Sequence, residues 1–316
     1  MKSQLKEIIK QLNPKIFEID EIKINSFEKL GIGEGNLNYI FKINNKRYLC
    51  RINIELEKSN KLKNEFKTLK KIEKYGFSPK PIYFHNNPEF SILEFIEGEP
   101  FKEGTKKFTK KQITQIAKTL AELHSIKTAL KPQNYNFEYY LKGARKLIDK
   151  LNKRTNNKFK QTLVNTYKEV LKYIPSKENH KFALIHGDIC PQNIIKTKNS
   201  IKLIDWENVE VSDPARDLSQ ILVDLYLKDN DLNLFLKTYL TIRKDKNILE
   251  RSKIYAILMR QNYYIWEFIR SLEIKNKELP KEYLEKTNTK EHLLEANKQL
   301  KELYKLLKKK PPILIL

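Results

Sequence analysis

Residues 183–207 read Ala183-Leu-Ile-His186-Gly187-Asp188-Ile-Cys190-Pro191-Gln-Asn193-Ile-Ile-Lys-Thr-Lys-Asn-Ser-Ile201-Lys-Leu-Ile-Asp205-Trp206-Glu207. A short apolar run enters a polar loop, and a two-stranded pattern follows that ends in an acid. Asp188, Asn193 and Asp205 therefore fall at or just beyond strand ends. Oxygen-bearing side chains at this spacing suit a hard cation held beside a hydroxyl that is about to lose its proton. The other parts such a site needs are sought in the rest of the chain.

Upstream, Leu5, Ile8, Ile9 and Leu12 share one face of a helix predicted over 2–13, which Pro14 stops. From Ile16 to about Ile54 the pattern is β. Ile22, Ile24 and Leu30 form a first strand, Tyr39, Phe41 and Ile43 alternate in a second, and Asn44-Asn45-Lys46 turns into a third that carries Arg51. Between the first two strands lies Gly31-Ile-Gly33-Glu-Gly35-Asn36-Leu-Asn38. Three of the chain's eight glycines fall here. Such a cluster marks backbone that bends tightly or approaches something closely. It fits a loop laid over phosphates and also an ordinary β-turn, and it is no Walker A loop, since no Gly-Lys-Ser/Thr follows.

Residues 57–75 place Leu62, Phe66, Leu69 and Ile72 on one helical face with Glu65 beside it, and Gly76 supplies a C-terminal stop. Ile82–Phe84 and Phe90–Phe95 read as two more strands around Asn86-Asn87-Pro88. Residues 96–104, with two glycines and a proline, read as a connection between lobes. Beyond it the chain is almost wholly helical. Thr109 caps a helix bearing Ile113, Ile116, Leu120 and Leu123, and helical periodicity covers about 136–154, 158–174, 213–228, 230–243, 247–275 and 281–309. The fold expected is α+β and bilobal, with an antiparallel β-rich lobe carrying one main helix over 1–96 and a mostly α-helical lobe over 97–316.

The chain has 316 residues, 32% charged and 40% hydrophobic, enough for two lobes with their own cores. Cys50 and Cys190 are the only cysteines, so no disulfide framework is expected and a reducing cytoplasm is the default. The N-terminus lacks the apolar core of a signal peptide, and no run approaches the roughly 20 apolar residues that cross a bilayer. The net charge of +23 raises nucleic-acid binding. Lysine is instead spread over nearly every helical segment, which reads as a Lys-rich surface and makes a nucleic-acid partner unexpected. A positive field also favours an anionic substrate such as a nucleotide.

The order of parts is a glycine loop between two strands, Arg51 on the next strand, a helix with Glu65, a linker, helices, then His-Gly-Asp188-x4-Asn193 and Asp205 twelve residues on. This order resembles the protein-kinase-like superfamily, and within it the aminoglycoside phosphotransferase and choline kinase family, whose pattern is His-Gly-Asp-x4-Asn followed by Ile-Asp-Trp/Phe-Glu. The resemblance runs over about 28–220. It implies an ATP- and Mg2+-dependent kinase fold and brings roles with it. Asp188 accepts or orients the acceptor proton, and Asn193 and Asp205 supply oxygens to Mg2+. Arg51 contacts phosphates and is held by Glu65. Gly33, Gly35 and Asn38 bring loop backbone and an amide to the phosphates, and backbone around Glu94–Ile96 binds the adenine edge. Phosphoryl transfer needs mainly positioning and charge neutralisation, which is what these groups offer.

His186 reads as a structural loop residue. The histidines share no zinc-ligand spacing, and Cys190 has no assigned base. Asp213 and Asp217 fit a helix N-cap and an anchor for the loop. Asp205-Trp-Glu runs straight to Asp213-Pro with no insert like the activation loop of protein kinases, so a small acceptor is expected. Glu207, and Tyr263 and Trp266 in an aromatic-rich helix, suit an amino-alcohol or cationic acceptor such as choline, ethanolamine or thiamine, although aromatics at helical spacing are also ordinary core. The loop Gly33-Glu-Gly35-Asn36-Leu-Asn38 looks like that of methylthioribose kinases, and homoserine and aminoglycoside kinases share the core pattern. A nucleotide-binding pseudokinase and a basic nucleic-acid-binding protein are the alternatives of other classes.

Overall fold

The computed structural model describes residues 2–32, 36–53, 59–86, 89–102, 108–128, 130–132, 136–151, 157–175, 181–225, 227, 229–279, 284 and 287–312. Gly33 and Gly35 of the glycine loop, and the Asn87-Pro88 turn, lie outside them.

Contacts group the chain into two compact units. The first comprises Met1–Leu123, His186–Val209 and Lys228–Ile242, and the second His124–Ile185, Glu210–Leu227 and Arg243–Leu316.

The first unit holds an antiparallel sheet of β1 (Ile24–Ile32), β2 (Asn36–Ile43), β3 (Lys46–Asn53), β4 (Pro81–Asn86) and β5 (Glu89–Glu94), in the order β1-β2-β3-β5-β4. Strand alternation sorts β3 into two faces. Tyr48, Cys50 and Ile52 join Phe41, Phe90 and Ile92 in a core that Leu5 and Ile9 of helix α1 (Lys2–Lys10) and Phe17 close off. Each such side chain removed from water contributes about 1.5–3 kcal/mol. Arg51 points to the other face, where helix α2 (Ser59–Ile72) packs against β4 and β5. The β-region expected from Ile16 starts later. Pro14–Phe17 form a 3-10 turn capped by Asn13, and the first strand begins at Ile24. Proline at the first turn position pre-sets that turn.

The same unit contains β6 (Glu99–Pro100), which falls within the expected connection and pairs with β8 (Ile194–Lys196). β8 in turn pairs with β9 (Ile201–Leu203). Helix α3 (Lys110–Leu123) packs on α7 (Asp229–Ile242). Thr109 caps α3 as expected. Its Oγ1 accepts the Gln112 N–H at 3.2 Å, and Gln112 Oε1 accepts the Thr109 N–H at 2.8 Å, a reciprocal capping box.

The second unit is built on α8 (Ile248–Lys275), against which α4 (Phe137–Leu151), α5 (Asn157–Leu171), α6 (Ala215–Val223) and α9 (Thr289–Leu306) pack. Two short strands, β7 (Ala183–Ile185) and β10 (Glu210–Ser212), pair antiparallel in it. The cap expected of Asp213 is present at the start of α6, and Asp217 is buried against His124. Asp213 Oδ1 accepts the Ala215 N–H at 2.9 Å, and Asp217 Oδ2 lies 3.0 Å from His124 Nε2 with both side chains fully buried. Arg251 of α8 spans Asp213 and Asp245 with four hydrogen bonds of 2.7–3.1 Å.

Candidate active site

The catalytic-stretch residues and the sheet residues meet within the first unit. Arg51 is 4% exposed and Glu65 1%. Arg51 Nη1 donates to Glu65 Oε1 at 2.6 Å, while Nη2 donates to Asp205 Oδ1 at 2.7 Å and lies 3.4 Å from Glu207 Oε2. Glu65 Oε1 also accepts the Trp206 N–H at 3.2 Å. One guanidinium thus ties β3, α2 and the segment after β9. Three carboxylates share it. Burial pushes Glu65 up to about 7 against the pull of Arg51. Burial alone would lower the Arg51 guanidinium, but Glu65, Asp205 and Glu207 outweigh it and hold Arg51 firmly cationic.

The loop after β7 is stitched to the Asp205 segment through Ile204. The Ile204 N–H donates to Asn193 O at 2.9 Å, and His186 Nε2 donates to Ile204 O at 3.0 Å. The Asp188 N–H donates to His186 Nδ1 at 3.3 Å, which places the ring proton on Nε2. His186 is fully buried and packs on Trp206 at 4.6 Å, so it positions the loop, as its reading as a structural residue expected. Trp206 is itself buried, stacks on Phe77 at 6.0 Å and donates from Nε1 to Leu203 O at 2.8 Å. Asp205 takes a left-handed conformation with φ 64°. A non-glycine residue holds that conformation only where its surroundings over-determine it.

Asn193 closes the 3-10 turn Pro191–Asn193, and its Nδ2 donates to both Asp188 O and Asp188 Oδ2 at 3.0 Å. The amide hydrogens are thereby engaged, and Oδ1 is the atom Asn193 can offer a cation. No cluster of three or more His, Cys, Asp or Glu side chains able to hold a metal occurs among the described residues. Mg2+ does not require one, because it keeps several waters and takes one or two protein oxygens plus phosphates. The Asn193 amide oxygen and the partly exposed Asp205 carboxylate fit that ion.

Asn38 lies on β2 directly opposite Arg51, and its buried Oδ1 has no hydrogen-bond partner among the described residues. At the end of β5, the Glu94 N–H donates to Lys80 O at 2.8 Å and the Phe95 N–H to Arg47 O at 3.2 Å. The next amide, Ile96, has no acceptor among the described residues. Tyr263 and Trp266 lie on α8 in the second unit. Trp266 is 36% exposed, with the Arg270 guanidinium 5.1 Å over its ring and His292 edge-on at 6.1 Å. Sequence reasoning passed over Ser91, which the register sets directly opposite Arg51 on β5. The available signal was one hydroxyl inside the apolar run Phe90-Ser91-Ile92-Leu93.

An antiparallel sheet with one helix on it, followed by helices, is the kinase-like α+β fold, and the chain is a phosphotransferase of the small-molecule kinase class. It belongs to the phosphotransferase enzyme family, whose model matches residues 26–246. A Protein LicA homolog of Mycoplasma capricolum subsp. capricolum is 23% identical over 244 residues, covering 77% of this chain and 90% of that one. Choline kinase LicA from Streptococcus pneumoniae superposes with a TM-score of 0.66 at 20% identity, covering 96% of this chain and 99% of that one. The gentamicin complex of APH(2'')-IIa superposes with a TM-score of 0.64 at 19% identity, covering 96% and 98%. No helix among the described residues is long and apolar enough to cross a membrane.

Proposed function

We propose that this chain transfers the γ-phosphoryl group of ATP, with Mg2+, to a hydroxyl of a small cationic amino alcohol of the choline, ethanolamine or thiamine kind. One observation carries the reaction type. Asp188, Asn193 and Asp205 are held to one another through Ile204 and the Asn193 side chain, and Asp205 is joined to the Arg51–Glu65 pair. Asp188 orients the acceptor hydroxyl and accepts its proton, and the Asn193 amide fixes its carboxylate. Asn193 Oδ1 and Asp205 would hold the metal, which when bound neutralises phosphate charge. Arg51 meets the phosphates, and the Ile96 amide with the Glu94 carbonyl meets the adenine edge. Residues 1–96 act as the nucleotide lobe and the remainder as the acceptor lobe, in the cytoplasm.

The acceptor class rests on chemistry and kinship together. A solved structure of similar fold is a choline kinase. Trp266 is partly exposed and holds the Arg270 guanidinium over one ring face, so an acceptor ammonium would meet the other face. Glu207 lies 3.4 Å from Arg51, which supports a role beside the phosphate contact as well as toward a cationic acceptor.

The test is a phosphate-transfer screen over choline, ethanolamine, thiamine, methylthioribose, homoserine and kanamycin, with wild type and Asp188→Asn. Transfer to a cationic amino alcohol by the wild type alone, with nucleotide binding kept in Asp188→Asn, is expected. Wild-type rates in Asp188→Asn would remove that residue's role. Salt-sensitive binding of RNA with no thermal stabilisation by Mg2+–ATP would replace the enzyme reading with a nucleic-acid one.

A further inference from the structure

Asn38, Arg51 and Ser91 form one file across β2, β3 and β5, each directly opposite the next. Directly paired residues point to the same face, with Cβ atoms roughly 5 Å apart. On that face α2 brings Glu65 onto Arg51 at 2.6 Å. The place is shielded from bulk solvent: Ser91 and Glu65 are each 1% exposed and Arg51 4%. Yet Ser91 Oγ, Glu65 Oε2 and Arg51 Nε have no hydrogen-bond partner among the described residues. Buried polar groups almost always find one, and a site with two to four polar partners is where an enclosed water is kept. The inventory is complementary. Arg51 Nε can only donate, Glu65 Oε2 accepts when ionised, and a serine hydroxyl does both.

Phe90 and Ile92 turn to the opposite, core face of β5, while on its own face Ser91 is enclosed with no partner for its hydroxyl among the described residues, a state that burial penalises. Something on this face therefore uses it.

We infer that Ser91 is a positioning residue for nucleotide binding, its hydroxyl joined through one enclosed water to Glu65 Oε2 and Arg51 Nε. Direct hydrogen bonds fix Glu65 by one oxygen and Arg51 by its two terminal nitrogens. The Ser91 link would fix the second carboxylate oxygen and the remaining guanidinium nitrogen. It thereby sets the rotation of the guanidinium plane presented to phosphate. The inference rests on Arg51 meeting phosphate, as proposed above.

Ser91→Thr and Ser91→Val test it as a pair. They match in volume and branching and differ in the hydroxyl alone. The readouts are the calorimetric dissociation constant for ATP, the KM values for ATP and for the acceptor, and the melting temperature. Ser91→Thr is expected to bind ATP like the wild type. Ser91→Val is expected to bind it about two- to tenfold more weakly, the effect of one lost hydrogen bond to the enclosed water, with the acceptor KM unchanged. Equal ATP affinity in the two variants, at whatever melting temperatures, overturns the inference, as does a rise in acceptor KM in place of ATP KM. Arg51→Ala separates this failure from the larger one. If that variant loses ATP affinity while Thr and Val do not differ, only the Ser91 role falls. If it binds ATP like the wild type, the phosphate-contact reading of Arg51 falls too.

Discussion

Replacing Gly187 by alanine offers a sharp test of how the loop carrying Asp188 is held. Gly187 has φ +82°, and a Cβ there would overlap the Asn208 carbonyl oxygen and lie 3.1 Å from its carbonyl carbon and 3.2 Å from its Cβ. Two costs are separable. The left-handed conformation itself costs an L-residue about 1–2 kcal/mol. The overlap is with backbone, which cannot rotate away, so a segment must move. Gly187 lies between His186 and Asp188, and Asn208 closes the 3-10 turn that starts just after Asp205. Relief therefore displaces Asp188, Asp205 or both. A shift of about 1 Å at such groups costs on the order of 100-fold in rate. Gly76 is the internal control. It has φ +71° with nothing within 4 Å of a Cβ, so Gly76→Ala meets the first cost alone. Both variants should melt a few degrees below wild type. Only Gly187→Ala should also lose about two orders of magnitude in kcat/KM, measured with the acceptor that the transfer screen identifies. Wild-type activity in Gly187→Ala, or an equal loss in Gly76→Ala, would refute the reasoning.

Three further outcomes follow from the charged groups. Asp205→Ala should abolish the Mg2+-dependent part of nucleotide affinity in calorimetry while leaving the Arg51–Glu65 pair intact, and unchanged Mg2+ dependence would reject the metal role. Arg251→Met leaves Asp213 and Asp245 buried without their shared cation, so chemical denaturation should show a loss of about 3–5 kcal/mol. A loss below 1 kcal/mol would mean the network is not closed as described. Burial raises the Asp245 carboxyl, but the hydrogen bond and charge of Arg251 outweigh it and hold the group below its ordinary value. A depressed folded-state pKa makes this contribution complete above the unfolded value of about 3.9 and lost as pH falls below it. Stability followed from pH 6 down to about pH 3 should therefore fall more steeply in wild type than in Asp245→Asn, and parallel curves would contradict the assignment.

The fold was legible because its signals are local. Alternation in Tyr39, Phe41 and Ile43, a turn at Asn44-Asn45 and helical spacing in Leu62, Leu69 and Ile72 each act within a few residues, and all three became the elements expected. The late start of β1 was missed because Ile16 and Phe17 are apolar in either conformation, and the proline before them chose the turn. The candidate site was legible in part for a different reason. Asp188, Asn193 and Asp205 are close in sequence, so their spacing carries their geometry. The contact of Glu207 with Arg51, 156 residues earlier, was not legible because nothing local links the two. Ser91 was passed over on the same ground, since cross-strand register places it beside Arg51 and no motif includes it.

These long-range partners also explain why arginine suits position 51. A point cation could satisfy Glu65 or Asp205, but the two acids arrive from different elements, one on a helix and one after a strand. A planar fork reaches both with separate nitrogens, at 2.6 and 2.7 Å. The carboxylates around it keep the arginine charged. Asp205 is the most exposed of the three, so the proposed Mg2+ would meet its carboxylate there. The same cluster would thus offer a metal–nucleotide complex a carboxylate toward the metal and a guanidinium toward phosphate. Acceptor choice would be free to vary elsewhere, because neither group depends on which hydroxyl is presented to Asp188.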